Sequence, residues 1–149
     1  MKQRETVTMP AGEVRKLLET GRKLQLATLN PDGTPHLVSM FYGMRDGRIA
    51  FWTYRASQKA RNLARDPRVT CLVEDGDDYF ELRGVQVTGV VTRIDDLPGV
   101  TAIGKLVASR MAGQEADVLD DYVAHAAAKR CAYLVEPRRI VSWDHRRLL

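Results

Sequence analysis

The sequence predicts a mainly β protein in which helices flank a closed or nearly closed antiparallel barrel. Six strand-like runs are separated by short turns, and two glycines in the long run YFELRGVQVTGVVTRI indicate bends instead of strand ends. Strands and helices do not alternate regularly, which argues against a doubly wound parallel sheet. The predicted strands are 23–29, 35–43, 48–54, 68–74, 79–94 and 131–143. We expect one domain over residues 1–149, with its core at about 22–143.

Local sequence features set the boundaries of these elements. The segments NPDG (30–33) and RDG (45–47) predict tight turns, because proline fixes φ and glycine accepts a positive φ. Residues 10–21 predict a helix that begins at Pro10 and ends at Gly21. The predicted bends of the long strand lie at Gly84 and Gly89.

The chain beyond the long strand predicts two helices and a final strand. Apolar residues at helical spacing between 97 and 129 indicate two helices that break near Gly113. The last predicted strand is interrupted at Pro137.

Composition excludes several classes of protein. No run of 18 apolar residues is present, and the N-terminal segment has no apolar core of a secretory leader, so we expect a cytoplasmic protein without membrane partners. Cys71 and Cys131 lie in apolar runs without C-x-x-C spacing, which indicates buried free thiols. A net charge of +4 suits an anionic small ligand as well as nucleic acid.

Known catalytic and metal-binding motifs are missing from the sequence. It contains no G-x-G-x-x-G, no P-loop and no G-x-S-x-G elbow. His36, His125 and His145 lie far apart without metal-ligand spacing, so we predict no metal site. The residues alone name no catalytic acid, base or nucleophile.

The segment WTYRASQKARNLARDPRV (52–69) is the strongest candidate for a binding site. Ser57 is placed to cap a short helix that Asp66-Pro67 ends, and Arg55 and Lys59 flank the start of that helix. A helix N-terminus with two cations and a hydroxyl suits a phosphate. The alternative is a solvated basic surface helix. In both interpretations Ala60, Leu63 and Ala64 are predicted to face the core.

Three stretches together resemble a known family. LATLNPDGTPHLVSMFY, IAFWTYRASQKARNLARDPRVTCLV and VQVTGVVTRI are similar to the pyridoxamine 5′-phosphate oxidase-like, FMN-binding split-barrel superfamily. Within it, the sequence most resembles the deazaflavin (coenzyme F420)-dependent oxidoreductases. The resemblance runs from about Leu24 to Trp143. It implies a six-stranded split barrel of Greek-key type that forms a homodimer with the cofactor at the interface.

The resemblance also assigns residues to the cofactor. Those for the phosphate are Arg55, Ser57 and Lys59, with the neighbouring Gln58. Those for the ring are Val38, Ser39, Met40, Thr53 and Tyr54, with Gln86 and Trp143 offered from the partner chain. The C-terminal SWDHRRLL only loosely resembles the substrate-binding end of true pyridoxamine phosphate oxidases, which argues against vitamin B6 oxidation.

The implied activity is hydride transfer between coenzyme F420 and an unsaturated small-molecule acceptor. FMN would fit the same groove and is the alternative cofactor. A second class of function is a flavin, deazaflavin or haem carrier without turnover. Nucleic-acid binding ranks last, because no recognised motif is present and the cations are scattered.

Overall fold

The computed structural model describes residues 2–111 and 119–149. The strands are β1 (Lys23–Leu29), β2 (Pro35–Phe41), β3 (Gly43–Arg45), β4 (Arg48–Tyr54), β5 (Arg68–Asp75), β6 (Arg83–Ile94) and β7 (Arg130–Asp144). The α-helices are α1 (Gln3–Val7), α2 (Ala11–Thr20), α3 (Gln58–Arg65), α4 (Leu97–Met111) and α5 (Asp120–Ala127). Short 3₁₀ turns cover Tyr79–Glu81 and His145–Leu148. The predicted mainly β class with flanking helices is confirmed.

All seven strands belong to one antiparallel sheet in the order β2-β1-β5-β6-β7-β4-β3. The strands at its two edges, β2 and β3, are consecutive in the chain and are separated by Tyr42 alone. The sheet therefore curls until its edges are the two halves of one bent strand, as in a split barrel.

The single strand predicted over 35–43 is wrong at its end, because the chain bends at Tyr42. The Tyr42 ring is fully buried, and its hydroxyl donates a hydrogen bond to the Leu18 carbonyl. A Cβ at Gly43 would lie 2.7 Å from Leu106 Cβ, so the residue after the bend must be small. Six predicted strands thus become seven.

Two other predicted boundaries also change. Residues 79–81 form a 3₁₀ turn, so the long strand begins at Arg83. Pro137 does not interrupt β7: it pairs with Gly89 at a shift in the β6–β7 register, and β4 pairs with β7 only over 130–134. At Pro137 the strand therefore has a neighbouring strand on one side alone, a position at which proline is tolerated. The predicted break near Gly113 lies outside the described residues.

Two apolar clusters hold the fold together. The barrel interior contains Leu24, Leu26, Phe51, Tyr133 and their neighbours, with Cys71 and Cys131 as buried free thiols. The second cluster packs α4 and α5 against the outside of β4 and β7 around Trp52. A Cβ at Gly104 of α4 would collide with the Trp52 ring, which explains the glycine. None of the described helices combines the length and apolar character needed to cross a membrane.

Candidate functional site

The end of β4 and the start of α3 form the predicted basic turn. The Ser57 hydroxyl oxygen accepts hydrogen bonds from the Ala60 N–H and from the Thr53 hydroxyl, both at 3.1 Å. The first bond is the predicted N-cap, and the second ties the cap to the last buried residue of β4. Thr53 and Ser57 therefore fix where the helix begins relative to the strand.

Asn62 anchors the other end of this helix to the barrel. Its side chain is fully buried and donates to the Thr28 hydroxyl and to the Asn30 side-chain oxygen, both at 3.0 Å. It also accepts from Gln58 Nε2 at 2.9 Å. Ala64, predicted to face the core, is exposed, and Asn62 lies on the buried side with Ala60 and Leu63. The predicted helix face was wrong at this position because a buried polar network replaces an apolar contact.

A groove of about 290 Å³ opens beside this turn, between β2, β4 and the helices α4 and α5. Four of the predicted cofactor residues line this groove: Met40, Thr53, Tyr54 and Lys59. The remaining lining residues are Phe41, Trp52, Val107, Met111, Tyr122 and Arg130. The structure therefore brings residues from both predicted strands and from the helix to one concave surface.

Two cations face this groove without a carboxylate partner among the described residues. Burial lowers the pKa of the Lys59 ammonium, because desolvation disfavours its charge. The Arg130 guanidinium carbon lies 4.0 Å from the centre of the Tyr54 ring and 5.0 Å from that of Trp52. Arg130 also donates to the Ala126 carbonyl, which holds it in place. This pair of cations favours an anionic ligand.

Arg130 was missed by sequence reasoning. It lies 75 positions after Arg55 in the chain and reaches the groove only because β7 pairs with β4, where Arg130 lies opposite Tyr54. The only sequence feature that could have indicated it is its position immediately before the last predicted strand, 131–143.

Arg55 and Gln58 face away from the lining of the groove. The Arg55 backbone N–H donates to the Lys129 carbonyl and its guanidinium to the Ala128 carbonyl, both at 3.1 Å. Arg55 thus binds the C-terminal end of α5. Gln58 is held by Asn62 and accepts from Arg61 at 3.0 Å.

The other predicted site residues lie on the sheet. Val38 packs against the barrel interior. Ser39 pairs with Gln25, Gln25 pairs with Leu72, and Leu72 pairs with Gln86, so these side chains share the outer face of the sheet. Trp143 lies on the same face, with its ring across Gly84. Gln86 and Trp143 are therefore three and four strands away from β2 and do not line the groove of their own chain.

The family model for pyridoxamine 5′-phosphate oxidase matches residues 11–144. The chain belongs to this family. The match covers every strand of the barrel and helices α2 to α5.

Solved structures of similar proteins agree with this assignment. The conserved hypothetical protein Rv2991 from Mycobacterium tuberculosis is 40% identical with a TM-score of 0.90, over 99% of this chain and 92% of that one. An F420 reductase is 27% identical with a TM-score of 0.66, over 85% of this chain and 94% of that one. A heme binding protein from Mycobacterium smegmatis is 18% identical with a TM-score of 0.66, over 95% and 61% of the two chains, and shows the shared fold alone. Comparison with curated proteins gives no match.

The residues present fit a flavin-type cofactor of this family. Lys59 and Arg130 supply positive charge for an anionic group, and the apolar lining suits a planar ring. The side-chain oxygen of Gln25 is buried without a hydrogen-bond donor from the residues that the structure describes, and Gln25 lies beside Ser39 in a second concavity of about 400 Å³. A buried acceptor beside Ser39, one of the predicted ring-binding residues, suits the ring N–H of a flavin or deazaflavin.

Proposed function

We propose that the protein is a deazaflavin (coenzyme F420)-dependent oxidoreductase that transfers hydride between the cofactor and an unsaturated small-molecule acceptor. The observation that carries the proposal is the groove in which Lys59 and Arg130 face an apolar wall without a carboxylate partner among the described residues. The 27% identity to an F420 reductase supports the choice of deazaflavin.

Each part of the site has a separate role in this proposal. Lys59 and Arg130 bind the anionic part of the cofactor, and Ser57 holds the turn that presents Lys59. Met40, Thr53 and Tyr54, which line the groove, shape the ring site together with their β2 neighbours Val38 and Ser39. The apolar side chains of Val107, Met111 and Tyr122 restrict access of water. Bound deazaflavin supplies the hydride chemistry, and the protein supplies orientation and electrostatics.

The proposal also includes a homodimer, with one barrel domain spanning residues 1–149. The outer face of the sheet carries Leu37, which is 66% exposed, together with Ser39, Gln86 and Trp143. A second copy covering this face would bring its Gln86 and Trp143 to the ring side of the site. Arg55 and Gln58 position the turn between β4 and α3 through their hydrogen bonds to Ala128 and Asn62.

The experiment that tests the proposal is parallel titration of cofactor-free protein with coenzyme F420 and with FMN, followed by fluorescence. Tight binding of F420 and weak binding of FMN supports the deazaflavin assignment. The reverse preference assigns FMN chemistry to the same groove. Binding of haem alone would overturn the proposal in favour of a carrier.

A further inference from the structure

A further cavity lies at the opposite end of β4 from the groove. It has a volume of about 600 Å³, which is within the range of small-molecule sites. We call it the N-terminal cavity. Its lining residues are Arg4, Thr8, Met9, Ala11, Val14, Arg15, Leu18, Met44, Gly47, Arg139, Ile140, Val141 and Ser142.

The cavity exists because β7 extends beyond the end of its pairing with β4. β4 pairs with β7 only over 130–134, so beyond Val135 the edge of β7 that faces β4 has no strand beside it, while the other edge stays paired with β6. The α1–α2 segment covers part of this edge, where the Met9 N–H donates to the Ser142 hydroxyl at 3.0 Å. The space between that segment, β7 and the β3–β4 turn is left open.

The floor of the N-terminal cavity is apolar. Met9 and Leu18 are buried members of the barrel core, and Val14 and Met44 pack against that core. Ile140 lines the cavity beside this floor and is 49% exposed. A hydrocarbon group in the cavity would cover Ile140 and remove this apolar surface from water.

The rim of the cavity is cationic and uncompensated. Arg4, Arg15 and Arg139 come from α1, α2 and β7, and none of them forms an ion pair or a side-chain hydrogen bond among the described residues. Two nearby arginines behave differently: Arg48 pairs with Glu136 at 2.9 Å, and Arg147 pairs with Glu13 at 3.1 Å. Glu13 and Glu136 thus pair with other arginines, and the three rim guanidinium groups form no ion pair among the described residues.

We propose that the N-terminal cavity binds an anionic amphiphile, a carboxylate with a medium-length hydrocarbon chain. The guanidinium groups would bind the carboxylate, and the floor from Met9 to Ile140 would cover the chain. No residue lines both this cavity and the groove. Gly47 and Tyr54 stand at opposite ends of β4, roughly 20 Å apart at about 3.3 Å per residue. The proposal therefore does not depend on the cofactor assignment.

The test is calorimetric titration of the full chain with dodecanoate below its micelle concentration, with dodecanol as the uncharged probe. We expect saturable binding of one dodecanoate per chain and much weaker binding of dodecanol. The double variant Arg4→Gln/Arg15→Gln should bind dodecanoate at least about tenfold more weakly than the wild type, because two charge-assisted hydrogen bonds are lost. Ile140→Ser should also weaken binding, since it removes the exposed part of the floor.

The control is Arg61→Gln/Lys105→Gln, which removes the same amount of charge at exposed positions outside the N-terminal cavity. It should bind dodecanoate like the wild type. Wild-type affinity in Arg4→Gln/Arg15→Gln, equal binding of dodecanol and dodecanoate, or no saturable binding would each overturn the proposal. A parallel F420 titration of the same variants separates this outcome from a failure of the proposed function.

Discussion

The Lys59 ammonium group is partly desolvated where it faces the groove. Burial lowers its pKa, so the ammonium is less favourable in the folded protein than in the unfolded chain. Lys59→Met should therefore leave the free energy of unfolding unchanged or higher, while F420 affinity falls about ten- to hundredfold with the loss of a charge-assisted hydrogen bond. Urea denaturation and fluorescence titration measure the two effects.

The matched control for this prediction is Lys105→Met on the exposed side of α4. It should change neither quantity. A Lys59→Met protein that keeps wild-type affinity would remove Lys59 from the anion site.

Replacement of Asn62 should destabilise the protein, because its side chain hydrogen-bonds to three other side chains. Asn62→Ala leaves the Thr28 hydroxyl, the Asn30 side chain and Gln58 Nε2 without their partner, so we expect a loss of about 1 to 3 kcal/mol in the free energy of unfolding. The exposed neighbour Arg61→Ala should cost about 0.5 kcal/mol or less. Equal stability of the two variants in chemical denaturation would contradict this role.

At the level of single residues, the sequence identified the short-range parts of the site and missed the long-range ones. Ser57 as a helix cap follows from local spacing and is confirmed. Asn62 and Arg130 act through partners on other strands, so no local pattern distinguishes them from surface residues.

The β6–β7 pair depends on Gly89. A Cβ there would collide with the backbone carbonyl of Glu136, which cannot rotate away like a side chain. Gly89→Ala should lower the free energy of unfolding by about 1 to 3 kcal/mol. Gly12→Ala in α2 is the control, because nothing lies within 4 Å of its Cβ position, and it should be at least as stable as the wild type, since alanine favours a helix over glycine. Thermal unfolding of both variants checks the difference.

The connection from α3 to β5 should give the protein part of its acid sensitivity. Hydrogen bonds from Arg68 lower the pKa of the Asp66 carboxylate from 3.8 to about 2. Because the folded-state pKa is the lower one, this stabilisation is present above about pH 4 and is lost as the pH falls towards 2. Asp66→Asn should be less stable than the wild type at pH 7.

Urea denaturation at neutral and acidic pH checks this prediction. The difference between Asp66→Asn and the wild type should shrink below pH 4. A difference that stays constant with pH would assign the effect to the helix end and not to the charge.

Elements with clear end signals were predicted well, whereas bends and bulges were not. β1 and β4 have the predicted bounds, since turn residues flank both strands. The bend at Tyr42 is imposed by burial of its ring beneath α2, and the strand around Pro137 continues because its outer edge lacks a partner there. Both depend on tertiary neighbours that the local sequence does not contain.

The whole-molecule prediction concerns association of two chains. If the outer face of the sheet pairs with a second copy, Leu37→Glu should shift the protein from dimer to monomer and weaken F420 binding together with it. Leu97→Glu on α4 is the control, because Leu97 is comparably exposed and lies away from that face. Sedimentation velocity measures the mass, and a monomeric wild type would contradict the dimer.

The position of β7 between β6 and β4 has a consequence for how the protein is made. A ribosome releases the chain from its first residue onward, so residues 130–144 emerge after strands β1 to β6. Until then β4 and β6 have no strand between them. Apolar residues such as Phe51 and Val87 still lack the β7 side chains that pack in the same core cluster. The sheet therefore cannot form completely until β7 has been synthesised, and the nascent chain is exposed to aggregation or chaperone capture up to that point.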